Sequence, residues 1–343
     1  MQLDVYTEID PIYQAHRKIQ ALRSEDVYNQ ESDLIVDFLR FLGNASSCLF
    51  FSEKEKESKM DQILAFLRMI SDNKPRDLVR FENRFFNKLD RSEDLRNVIK
   101  GKHSIAFLNR DTSRITDLGM KSQVLLMNIE TLNEKWKKLA HQDELRFPKV
   151  IAINNQCGFS WEKLNPYKEV TSKIIICDRQ LFNIDKKDYL DNIVPLIHAL
   201  IPDITSYNSN LRIILIGARN GSGPTENYIK KWGNHTEVLE FLKSEFKNYP
   251  NVNFTVAALD HKKVHDRLVF TDYFSFDIGH CFDILNTVNT VKPNINTTLK
   301  INGIGGIANY REINKQYQQQ KTWFNEDLNK DSTNFYGVKK ELI

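Results

Sequence analysis

The segment HDRLVFTDYFSFDIG, residues 265–279, gathers the residue types that handle phosphate. His265 stands two residues before Arg267, Asp272 follows five residues later, and Gly279 seven after that. A neutral imidazole serves as nucleophile or acid/base near neutral pH. A guanidinium grips phosphate oxygens bidentately and keeps its charge. If residues 264–272 form a strand, side chains alternate faces. His265 and Arg267 then share one face about 7 Å apart. Asp272, at the strand end, is the candidate third group that orients the histidine. Gly279 would let a ligand approach the backbone, and His280 follows it as a further contact. Read without that chemistry, His265-Asp266-Arg267 is a polar cluster held by a local ion pair.

The surrounding elements must present this strand. From FPKVIAINN onward, short β-branched runs alternate with helical patterns. Residues 172–178, 211–217, 252–259 and 264–272 read as strands. KDYLDNIVPLIHALIPDI reads as a helix kinked at Pro195, and residues 235–250 as a helix closed by Pro250. INGIGGIANYREINKQYQQQKTWF supplies a turn and a last helix. This alternation predicts a mixed or parallel sheet flanked by helices over residues 146–325. The glycine-rich GARNGSGPTEN, residues 217–227, matches neither a Walker nor a dinucleotide fingerprint. It reads as a loop at the sheet edge, with Arg219 as a phosphate contact. Lys263 is a second basic candidate.

Residues 1–145 read as helical. SDLIVDFLRFLGN, KMDQILAFLRMISDN, PRDLVRFENRFFNKL and SQVLLMNIETLNEKWKKLAHQ carry apolar residues at helical spacing. EKEKESK, residues 53–59, reads as a solvated charge run. RFENRFF reads as core rather than as a nucleic-acid platform. The expected organisation is an all-α interaction or oligomerisation domain over 1–145, the α/β domain over 146–325, and a polar tail over 326–343.

The pattern His265-x-Arg267-x4-Asp272-x6-Gly279 resembles the HxK(x)4D(x)6G(S/T) signature of the phospholipase D superfamily. Arginine stands where that family has lysine, and His280 where it has serine or threonine. The closer resemblance is to the phospholipase D-like C-terminal domain of MIT-domain-containing proteins, through HDR, the later Asp and Gly, and the apolar-Asp pair Phe282–Asp283. It covers residues 148–325, with SKIIICDRQLF as the first strand.

The resemblance implies an α/β phospholipase D-like fold and a metal-independent phosphodiesterase or nuclease without cofactor. It further implies a phosphohistidine on His265, Arg267 as the phosphate clamp and Asp272 as the orienter. Active members need two motifs; this chain carries one, so activity implies a homodimer pairing His265 of two copies. The MIT-type domains are non-catalytic and bind acidic headgroups or protein partners, so a module binding a phosphate-containing ligand is the alternative.

The chain has 343 residues and a formal net charge of only +3, so bulk charge does not mark a nucleic-acid binder. Nucleic acid is nevertheless preferred over lipid as substrate, because no apolar run is long enough to span a bilayer. Defence against foreign nucleic acid would suit a helical adaptor on such a domain. The four cysteines, Cys48, Cys157, Cys177 and Cys281, form no CxxC pair, which indicates neither zinc nor a disulfide framework. Scattered thiols and the lack of a leader-like apolar stretch lead to a cytoplasmic expectation.

Overall fold

A computed structural model describes residues 3–23, 30–44, 48–70, 79–91, 95–99, 103–140, 149–202, 211–219, 232, 234–264, 267–280, 282–305, 307–330 and 332–337. The chain divides into two compact units. One comprises Met1–Phe147 and Gly303–Asn314, the other Pro148–Asn302 and Lys315–Ile343.

The first unit is not all-α. It is built on a parallel sheet of β1 (Leu3–Thr7), β2 (Cys48–Phe51), β3 (Val79–Phe81), β4 (His103–Phe107) and β5 (Leu125–Met127). The strand order is β3-β2-β1-β4-β5 and every pairing is parallel. The crossovers are α1 (Ile9–Arg23), α2 (Gln30–Asn44), α3 (Glu53–Ile70), α4 (Arg84–Asp90), α5 (Arg96–Ile99) and α6 (Thr112–Ser122), and α7 (Leu132–Ala140) follows β5. All five residues of β1 are buried. A central strand covered on both faces reads as a continuous apolar run without alternation. Runs as short as CLFF and LLM look the same in a strand as in a helix turn, which is why helical spacing found α2, α3, α4 and α7 but missed the strands between them.

Packing completes both faces. On one, Tyr6 is sandwiched between Phe50 and Phe85, with ring centroids 4.9 and 4.0 Å away. Leu89, Leu95, Ile115 and Leu118 extend that cluster. The Phe85 and Leu89 stripe therefore serves as core, as its spacing indicates. Elsewhere in this unit Trp136 packs on Phe38 and Phe41, and its indole N–H donates to Asp37 at 3.1 Å. The charge run at 53–59 is a largely solvated helix face, as expected, with one exception. It is the first part of α3, and Glu55 within it is only 8% exposed.

The second unit holds an eight-stranded mixed sheet in the order β13-β9-β8-β7-β10-β11-β12-β6. Its strands are β6 (Lys149–Ile153), β7 (Lys173–Cys177), β8 (Leu211–Ala218), β9 (Val252–Leu259), β10 (Leu268–Phe270), β11 (Phe274–Ile278), β12 (Thr297–Gly303) and β13 (Phe335–Gly337). β7, β8 and β9 are parallel, whereas β10 runs antiparallel to β7 and β11 antiparallel to β10. The helices are α8 (Lys186–Asp188), α9 (Val194–Leu200), α10 (His235–Glu245) and the part of α11 (Ile307–Lys330) from Lys315 onward. A π-type turn at Tyr189–Ile193 precedes Pro195, at the place where the proline demanded a break. The stretch expected as a loose tail is ordered over most of its length. α11 runs to Lys330, and Phe335–Gly337 adds a strand beside β9. The segment INGIGG, expected as a turn, begins within β12. Among the described residues, no helix is long and apolar enough to cross a membrane.

Two measurements check this packing. A Cβ on Gly217 would lie 2.5 Å from the Phe182 ring. Gly217→Ala should therefore cost about 1–3 kcal/mol in chemical denaturation, and Phe182→Ala in the same chain should remove the penalty of the added methyl. Burial pushes the Glu55 carboxyl up to about 7 from 4.5; the Ile9 N–H and Lys59 oppose the rise, and Glu8 and Asp10 add to it. Between those two values the folded chain keeps a proton that the unfolded chain has released, so stability falls as pH rises through the window. The stability advantage of Glu55→Gln over wild type should then grow by about 3 kcal/mol across that window. A gap that stays constant with pH would show that Glu55 titrates normally.

Candidate functional site

The parallel strands of the second unit all deliver their carboxyl ends to one edge. Asp178 follows β7, Arg219 follows β8 and Asp260 follows β9. The Asp178 N–H donates to Ile216 O, and the Arg219 N–H to Leu259 O, which holds these first loop residues against the sheet. Because β10 is antiparallel and pairs Leu268 with Cys177, Arg267 arrives beside Asp178. β11 returns to the same edge, where Ile278 N–H donates to Arg267 O at 3.0 Å and Gly279 and His280 follow, both exposed. The structure thus brings Arg267, Arg219, Gly279 and His280 to one edge. His265 and Asp266 lie outside the described residues, as do Cys281 and residues 220–227 of the glycine-rich stretch.

Asp178 organises this edge. It is 1% exposed, accepts from Gln180 N–H at 2.8 Å and from Phe282 N–H at 3.1 Å, and lies 3.9 Å from Arg267 Nε. Burial pushes its carboxyl up, while the two N–H donors, Arg267 and His280 pull it down. At 3.9 Å the guanidinium is held by charge without a hydrogen bond, and Arg267 Nε makes none among the described residues. The fully buried Asn192 holds the following loop, accepting from Ile284 and Leu285 N–H and donating to Leu285 O. Neither Asp178 nor Asn192 was singled out by the sequence. The usable signal was an acidic residue directly after the buried run KIIIC.

Three expected roles change. Asp272 sits at the other end of β10, five residues and about 16 Å of strand from Arg267. Its carboxylate accepts from the Ser172 hydroxyl at 2.8 Å and from Ser172 N–H, while its own N–H donates to Thr171 Oγ1. It also faces Lys173, whose ammonium burial lowers to about 8 against the pull of Asp272. Asp272 is therefore a structural anchor and not an orienter at the Arg267 edge. Lys263 is tied to Asp327 at 2.7 Å and Glu326 at 2.8 Å, which commits its ammonium to α11. For Gly279, the constraint the structure supplies is Thr297, whose Oγ1 would lie 2.6 Å from an added Cβ. The strand expected over 264–272 is shorter, Leu268–Phe270.

Among the described residues, no group of three or more His, Cys, Asp or Glu is placed to hold a metal ion. No protein-family model, no curated protein and no solved structure matches the chain. The edge is thus a mixed-charge surface in which the guanidinium groups of Arg267 and Arg219, the His280 imidazole and exposed backbone stand over a buried carboxylate.

Removing one partner of a buried pair leaves an uncompensated charge. Asp272→Asn should cost about 3–5 kcal/mol in urea denaturation, and adding Lys173→Met should recover part of it. Additive losses in the double variant would show that the two residues do not act as a pair.

Proposed function

We propose that the second unit is a phospholipase D-like phosphodiesterase that acts on nucleic acid. One observation carries the reading: Arg267, two residues after His265, stands beside Asp178 at the carboxyl edge of the sheet with its side chain 31% exposed. Gly279 and His280 adjoin it through the β10–β11 pairing. In the proposed step an imidazole nitrogen of His265 attacks phosphorus, Arg267 holds a non-bridging oxygen, and the alcohol leaves with a proton from His265 of a second copy. Water then cleaves the phosphorus–nitrogen bond and restores the imidazole. A homodimer is part of the proposal, since one chain supplies one such histidine.

The buried Asp178 favours a second reading. Its carboxylate offsets the Arg267 charge, and Asp272, the expected orienter, sits on Ser172 at the other end of β10. A module that binds a phosphate-containing ligand or a protein partner without turning it over fits those two facts.

Cleavage of bis-p-nitrophenyl phosphate and of single- and double-stranded DNA and RNA, in excess EDTA, separates the readings when paired with light scattering. The enzyme reading expects a dimer, EDTA-resistant cleavage, and a loss of about 10²-fold or more in His265→Ala. It also expects a raised KM in Arg267→Ala. A monomer that cleaves none of these substrates sinks it.

A further inference from the structure

The first unit contains a cavity of about 270 Å³ that the sequence did not signal. It is lined by residues that follow β1, β2, β3 and β4, among them Glu8, Ser52, Asn83 and Asn109. In the order β3-β2-β1-β4-β5 the chain reverses its direction of travel between β1 and β4. Open α/β sheets bind ligands at this switch point, outside the carboxyl ends of the strands.

The charges of the lining narrow what fits. Arg110 pairs with Glu8 at 2.9 Å and Asp90 at 2.8 Å, and Lys59 pairs with Asp10 at 2.6 Å. A phosphate would have to break these pairs. Only Glu8 separates β1 from α1, so the glycine-rich turn that cradles a pyrophosphate has no room here. Glu55 stands apart from the pairs. It is 8% exposed; its Oε1 accepts from Ile9 N–H at 2.8 Å, and its Oε2 is buried with no hydrogen-bond partner. A buried carboxyl oxygen with no hydrogen-bond partner is rare in proteins and asks for one from a ligand.

With those charged groups paired to one another, the side-chain amides of Asn87 and Asn109 are neutral lining groups that each carry a donor and an acceptor. Walls that alternate donors and acceptors match hydroxyl groups, each of which donates and accepts at once. A lone ammonium would leave the donors unanswered. The Phe86 side chain adds an apolar surface for ring carbons. We propose that this cavity is a second ligand site, one that takes a ribose or similar sugar ring with vicinal hydroxyls, a hydroxyl donating to Glu55 Oε2. Burial raises the carboxyl of Glu55, with Glu8 and Asp10 adding to the rise and Lys59 opposing it, as suits a group whose partner is the ligand.

The test uses the full chain and three probes, D-ribose, adenosine and D-glucose, in calorimetry and ligand-observed NMR. At least one should bind with a Kd of about 1 mM or tighter. Glu55→Gln keeps the acceptor for Ile9 but replaces the second oxygen by a donor, and should weaken binding at least tenfold while the thermal midpoint holds or rises. Asn87→Trp, at an exposed lining position, should block binding by bulk without touching the core. His265→Ala should bind as wild type does, which separates this site from that of the second unit. The proposal is overturned if none of the three probes binds, if putrescine binds and the sugars do not, or if neither variant alters sugar binding.

Discussion

Parallel strands cannot be joined by tight turns. Each must be followed by a crossover that carries the chain back to the starting edge, so the residues just after the strands collect on one edge. That constraint governs both units. It puts Glu8, Ser52 and Asn109 on the carboxyl edge of the five-stranded sheet, and Asp178, Arg219 and Asp260 on that of the eight-stranded sheet. No local motif is needed to gather them. Their separation in the chain, from Glu8 to Asn109 or from Asp178 to Asp260, is the length of the intervening crossovers.

The same constraint explains the burial of Asp178. The first residue after a strand is still held in the sheet's hydrogen bonding, as Asp178 and Arg219 are. A carboxylate placed there loses water and must be compensated by backbone N–H groups or cations. Asp178 is compensated by two N–H donors and Arg267. Glu55, which lies in the first turn of α3 and not directly after a strand, receives one N–H donor, and its second oxygen is left without one. The contrast separates a carboxyl that organises its own loop from one whose surroundings leave room for a ligand.

Much of the second unit was legible because its strands are long, β-branched and bounded by turn residues. KIIIC, LRIILIG and VNFTVAAL lie where they were expected. The first unit was not legible for the opposite reason. LDVYT, CLFF and LLM are short, buried on most sides and flanked by strongly amphipathic helices, so helical periodicity dominated any window wide enough to measure it. The site residues divided along a similar line. Arg267, Gly279 and His280 are linked by one hairpin, so spacing in the sequence carried over into space. Asp272 belongs to the same motif but sits at the far end of a strand, where sequence proximity gives no contact. Asp178 and Glu55 had no pattern around them, because what distinguishes them is burial.

The antiparallel entry of β10 is the step that brings a second guanidinium to the second unit's carboxyl edge. Had β10 continued the parallel order, the chain start of the strand would lie at the amino edge, beside Ser172, and Arg267 would face away from Asp178. Reversal instead swaps the two ends: Asp272 moves to the amino edge to meet Lys173 and Ser172, and Arg267 moves to the carboxyl edge. One strand thereby supplies an anchor at one end and a cation at the other. The anchor holds the strand's position along β7, and that position determines how far Arg267 stands from Asp178. A separation of 3.9 Å is close enough to hold the guanidinium by charge and too long to use up its donors. The buried end of the strand thus bears on the Arg267 end through the register with β7, without touching it.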